Sequence, residues 1–117
     1  MNQAPLTENE YWEAGYADLP ESPPLDLCDY RQLGVRRLVE KIESLGLDGQ
    51  SILEVGAGNS AVLTCLAART GTRASFAGLD YSNTGCRMLT QRAARERVSV
   101  SVYRQDLFSP SADLLGR

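Results

Sequence analysis

Ser51-Ile52-Leu53-Glu54-Val55-Gly56-Ala57-Gly58-Asn59-Ser60, running on into Ala61-Val62-Leu63-Thr64-Cys65-Leu66, decides how the chain is read. Ile52, Leu53 and Val55 form a short apolar run that favours a buried strand. Gly56 and Gly58 let the backbone turn sharply and approach a ligand that a Cβ would push away. Asn59 or Ser60 then caps a helix whose first N–H groups are free. A strand, a glycine turn and a helix N-terminus together make a site for an anion or a ribose.

Working outward, the same alternation continues. The helix opened at Ser60 or Ala61 is predicted to run to Arg69 and stop at Gly71. Residues 74–79 form a second strand that ends in Asp80-Tyr81-Ser82, and Ser82 or Asn83 caps a helix to about Arg95. Val98, Val100 and Val102 alternate with polar residues, which predicts a third strand ending near Arg104, before Gln105-Asp106-Leu107-Phe108. Upstream, Leu33, Leu38, Val39, Ile42 and Leu45 recur at helical spacing within 29–45, and Gly46 closes that helix. Residues 8–17 form a short helix with Thr7 as N-cap and Glu10 in the capping-box position. The three prolines within 18–27 predict an extended linker. The expectation is thus an α/β, Rossmann-like parallel sheet, with an acidic arm over 1–28 and the ligand-binding domain over 29–117.

Composition excludes several classes. At 117 residues there is room for one small domain. No apolar run reaches bilayer-spanning length, and the first residues lack the basic and apolar regions of an export signal, so a cytoplasmic protein without membrane contact is expected. Three widely spaced cysteines, an odd number, predict reduced thiols, with neither a disulfide framework nor a metal site. The net charge of −3 is uneven: residues 1–29 carry seven carboxylates and no Lys or Arg. The basic residues of the remainder fall on helix faces without interleaved aromatics, so no nucleic-acid surface is expected. There is no histidine to act as acid or base, and no catalytic residue is assigned.

The ends of the three predicted strands place Glu54, Asp80 and Asp106 on one edge with the two glycines. In an open parallel sheet that edge is where ligands sit. An acidic residue about 20 positions beyond the glycines suits the two hydroxyls of a ribose. Both a dinucleotide and S-adenosylmethionine carry that ribose, and Gly56-Ala57-Gly58-Asn59-Ser60-Ala61 fits the dinucleotide pattern as well. Glu54 separates the two, because its carboxylate repels a pyrophosphate but suits the amino group of a methionine moiety. Asp106 is placed to accept from an adenine amino group.

At these residues the chain resembles the class I S-adenosylmethionine-dependent methyltransferases. Glu54 to Ser60 is similar to their first motif, Gly78-Leu79-Asp80-Tyr81-Ser82 to their second-strand acidic motif, and Gln105 to Phe108 to their adenine motif. Glu10-Tyr11-Trp12, with Gly58-Asn59-Ser60 and Asp80-Tyr81-Ser82, is similar to a subgroup that includes lysine methyltransferases of translation elongation factors. Related signatures occur in small-molecule methyltransferases, so the acceptor is left as a protein or a small molecule. The resemblance implies a set of cofactor contacts: Glu54 at the amino group, Gly56, Ala57, Gly58 and Asn59 beneath the methionine and ribose, and Asp80 on the ribose hydroxyls. It also implies Tyr81 flanking the adenine, with Asp106 and the Leu107 N–H reading it.

The family sheet has seven strands in the order 3-2-1-4-5-7-6. The resemblance therefore implies a cofactor-binding portion comprising strands 1 to 3. Its 117 residues are expected not to catalyse methyl transfer alone, and to self-associate through the open edge of Ser51–Val55. The other expectations left standing are an NAD(P)-binding oxidoreductase fragment and a non-catalytic fragment that acts through a partner chain.

Overall fold

The computed structural model describes residues 8–17, Pro20 and 32–106, with the side chains of Glu8, Asn9 and Trp12 excepted. The expected Thr7 cap, most of the proline-rich linker, Cys28 and Leu107 lie outside the described residues. Helix α1 spans Glu8–Ala17 and α2 spans Leu33–Ser44. Then strand β1 (Ser51–Val55), helix α3 (Val62–Thr70), strand β2 (Ser75–Asp80), helix α4 (Asn83–Glu96) and strand β3 (Ser101–Arg104) alternate along the chain. The three strands form one sheet in the order β1-β2-β3, and both pairings are parallel. The protein is α/β, with a three-stranded Rossmann-like sheet.

One face of that sheet carries the core. Ile52 lies opposite Phe76, and Gly78 lies opposite Val102, so these residues share a face. Against it pack Leu63, Leu66 and Ala67 of α3, Leu89 of α4 and Val39 of α2, all buried. The apolar spacing of α2 divides differently from the expectation. Val35, Val39 and Ile42 turn inward at i, i+4 and i+7, whereas Leu33, Leu38 and Leu45 are exposed. What holds α2 to its neighbour on the outer side is a two-pronged ion pair, Arg69 Nε and Nη2 to Glu43, each contact 2.9 Å.

Helix ends follow the residues that flank them. Ser82 caps α4, its hydroxyl accepting from the Gly85 N–H at 3.1 Å. At the other end Arg97 takes the left-handed conformation, with φ of 58°. Its N–H reaches the Ala94 carbonyl while the Val98 N–H reaches Ala93 at 3.0 Å. This is the paired closure of a Schellman motif. It uses the Val98 amide, and β3 consequently begins at Ser101, three residues later than the valine alternation predicts. Val98 and Val100 still pack against the core from outside the ladder.

No helix among the described residues is long and apolar enough to cross a membrane. Cys65 and Cys86 are free thiols, each with its pKa pushed up, first of all by burial. They lie in α3 and α4, where the helical pattern puts them.

Candidate functional site at the carboxyl edge of the sheet

The parallel register brings the C-terminal ends of the strands to one edge, with Val55 opposite Leu79 and Asp80 opposite Arg104. Gly56 leaves β1 with φ of 71°, a conformation that glycine adopts without strain. Its N–H and that of Ala57 both turn back to the Leu79 carbonyl, at 2.8 and 3.1 Å. The Ser60 N–H closes the turn on the Ala57 carbonyl at 2.7 Å. Ala57 is wholly buried and its methyl belongs to the core, so what it offers the edge is backbone. The N-cap of α3 is Ala61, rather than the expected Asn59 or Ser60, and it makes no side-chain cap hydrogen bond; the Ser60 hydroxyl, one residue earlier, accepts from the Val62 N–H at 3.1 Å. The Asn59 side chain instead donates to the Pro20 carbonyl at 3.0 Å.

Glu54, one residue from the end of β1, lies on the face that carries the core. Its Oε1 accepts from the Ser60 hydroxyl at 2.8 Å. Its Oε2 is buried and has no hydrogen-bond partner among the described residues. Burial pushes the Glu54 carboxyl above the usual range, and the Ser60 hydrogen bond only partly opposes that shift. A buried acceptor left unpaired costs about 1–3 kcal/mol, a cost that no described residue offsets here.

Asp80, at the end of β2, is buried and differs from Glu54 in every contact. Its Oδ1 accepts from the Ser82 N–H at 2.9 Å, which fixes the turn into α4. Its Oδ2 accepts from the Gly58 N–H at 3.0 Å, tying the glycine turn to the second strand. The same Oδ2 accepts from the Tyr16 hydroxyl of α1, also at 3.0 Å. Burial, together with the Asp80 carboxylate beside it, pushes the Tyr16 phenol up to about 12. Glu13, one turn earlier on the same face of α1, accepts from both the N–H and the hydroxyl of Thr84 in the first turn of α4. Those contacts, the Thr84 hydroxyl first among them, hold the Glu13 carboxyl below its usual range.

Of the residues singled out in the sequence, Glu54, Gly56, Ala57, Gly58, Asn59, Asp80, Tyr81 and Asp106 all come to this edge. Tyr81 and Asp106 are half-buried there. Leu107 lies outside the described residues. Three participants have no place in the motif reading: Glu13, Tyr16 and Thr84. The i, i+3 spacing of Glu13 and Tyr16, which puts them on one face of α1, is the signal that marks them as a pair. Comparisons of the chain with protein families, with curated proteins and with solved structures return no match.

Proposed function

We propose that this edge binds S-adenosylmethionine, and that the chain is the cofactor-binding portion of a methyltransferase. The observation that supports this reading most is the buried Glu54 Oε2 without a partner beside the glycine turn. A pyrophosphate at that place would set negative charge against a desolvated carboxylate. An ammonium group would supply both a donor and a compensating charge. The α-amino group of a methionine moiety is such a group, on a ligand that also carries a ribose for Asp80 and an adenine for Asp106.

When bound, the cofactor supplies an electrophilic methyl on a cationic sulfur, open to in-line displacement. What the chain contributes is position, which accounts for most of the rate in reactions of this kind. Glu54 anchors the amino end, and Ser60 holds its carboxylate in orientation. The turn at Gly56 to Gly58 gives backbone where a side chain would intrude. Asp80 joins the turn to β2 and offers its remaining acceptor capacity to the ribose.

Thermal shift with S-adenosylhomocysteine, S-adenosylmethionine and NAD tests the reading. Either adenosyl ligand at about 100 times its Kd is expected to stabilise the fold by about 2.7 kcal/mol, and NAD to leave it unchanged. Stabilisation by NAD alone replaces this reading with a dinucleotide-binding one. No stabilisation by any of the three removes it.

A further inference from the structure

Two charged side chains of α4 stand where local rules disfavour them. Arg92 is 2% exposed, and a cation is costly to bury. Glu96 is the last residue of α4, the end at which the helix dipole opposes a carboxylate. The two meet each other, Arg92 Nη1 to Glu96 Oε2 at 3.4 Å. The same Oε2 accepts from the Thr64 hydroxyl of α3 at 3.1 Å, and Thr64 is wholly buried. Departures from local rules that converge on one contact point to a task beyond the stability of either helix.

What the contact holds is the first turn of α3. Arg69, in the last turn of that helix, ties its far end to α2 through Glu43. Thr64 ties the near end to α4. Two residues before Thr64, the Val62 N–H donates to the Ser60 hydroxyl at 3.1 Å. That hydroxyl in turn gives its proton to Glu54 Oε1 at 2.8 Å. A hydroxyl has one proton to give, so where Val62 sets the Ser60 oxygen it also aims the Ser60 proton. One helical turn and two hydrogen bonds therefore join α4 to the carboxylate beside the glycine turn.

Resting on the adenosylmethionine reading, we propose that Thr64 and Glu96 are positioning residues for Glu54. Their action runs through α3 rather than through contact with the ligand. Glu96, with Arg92 as its counter-charge, holds Thr64, and Thr64 sets where the first turn of α3 lies. That turn sets Ser60, and Ser60 sets the orientation in which Glu54 meets the amino group.

A double-mutant cycle read by calorimetry with S-adenosylhomocysteine tests the proposal. Thr64→Val keeps the shape of the side chain and removes the hydroxyl. It is expected to weaken the ligand about tenfold in the wild-type background and to add nothing in a Glu54→Gln background. Thr64→Ser, which keeps the hydroxyl, is expected to bind as the wild type does. Unchanged affinity in Thr64→Val, an equal loss in Thr64→Ser, or losses that add across the two backgrounds overturn the proposal and leave the cofactor reading intact; Thr64 then serves the fold alone. Full affinity in Glu54→Gln removes the amino anchor and the proposal with it. A wild type that binds no S-adenosylhomocysteine overturns both readings. Thermal melts certify that each variant is folded. Should Thr64→Val not fold, the pair Arg92→Met with Glu96→Leu removes the ion pair without stranding a charge, and the same cycle against Glu54→Gln decides.

Discussion

The ends of β1 and β2 lie side by side, each carrying a carboxylate, and the chain treats them in opposite ways. Asp80 is bound by two backbone amides and a phenol, drawn from the glycine turn, the α4 turn and α1. Glu54 has a single serine on one oxygen, and a buried second oxygen with no partner among the described residues. A residue that completes the fold is satisfied by the fold. One that is desolvated and left half-satisfied is a cost to the isolated chain, and such a cost is a physical pointer to a ligand. The contrast also separates two senses of a binding motif. Asp80 and Gly58 hold the edge together, while Glu54 only gains from something added to it.

The largest effect is expected at Asp80. Asp80→Ala deletes three hydrogen bonds to a charged acceptor and strands two amides, and should lower stability by about 3 kcal/mol or more in urea unfolding. In any ligand-binding assay it should also weaken the adenosyl ligand about a hundredfold, through the two ribose hydroxyls. A cost no greater than that of a surface substitution would break the contrast on its structural side.

Gly58→Val comes next. Its side chain would fall onto the Tyr16 hydroxyl, so α1 must move, at a cost of about 1–3 kcal/mol for overpacking. Faster exchange over 8–17 and loss of adenosyl binding by calorimetry are expected together. Normal binding would show that neither ring nor ligand needs this glycine.

Glu54→Gln should act in the reverse direction. Burial raises the Glu54 pKa in the folded state, so its contribution to stability is fully present below the ordinary carboxyl value and is lost as pH rises through the raised one. The glutamine variant should therefore gain on the wild type as pH rises above the ordinary carboxyl value. Adenosyl affinity should meanwhile fall at least about tenfold at neutral pH, and the wild type should lose affinity as acid protonates Glu54. Thermal melts and calorimetry across that range check both signs. A destabilised variant with full affinity would reverse the roles of the two carboxylates.

The smallest effect is spectroscopic. The difference between the ultraviolet titrations of the wild type and Tyr16→Phe should show one phenol ionising near 12, above the ordinary tyrosine range. Its hydrogen bond to Asp80 is present below that ordinary range and is lost as pH rises through the higher value. At the acid end, docking of α1 should weaken as pH falls through the lowered pKa of Glu13.

Much of the fold was legible because local chemistry and tertiary packing agree. Ile52 to Val55 reads as a strand and is one, Gly56 turns where a glycine stands, and Ser82 caps the helix it precedes. The signal failed where one pattern served two purposes. Val98 and Val100 keep the alternation of a strand because they face the core, yet the Val98 amide is already bound to the end of α4. Leu38 fits a helical stripe, but Val35, Val39 and Ile42 form the one that meets the sheet. At the site, Glu54 and Asp80 are legible from their places at the ends of strands. Their unequal states are not, because Tyr16 reaches Asp80 across a sequence separation no local pattern spans.

That separation has a consequence for synthesis. Tyr16 and Asp80 are 64 residues apart, and Glu13 and Thr84 are 71 apart. Translation at about 5–20 residues per second would leave α1 outside the ribosome for several seconds before its partners exist. The β1-α3-β2 unit needs only the 24-residue offset between Ser51 and Ser75, and can condense first. The contacts of Tyr16 and Glu13 can therefore form only once β2 and the start of α4 have emerged.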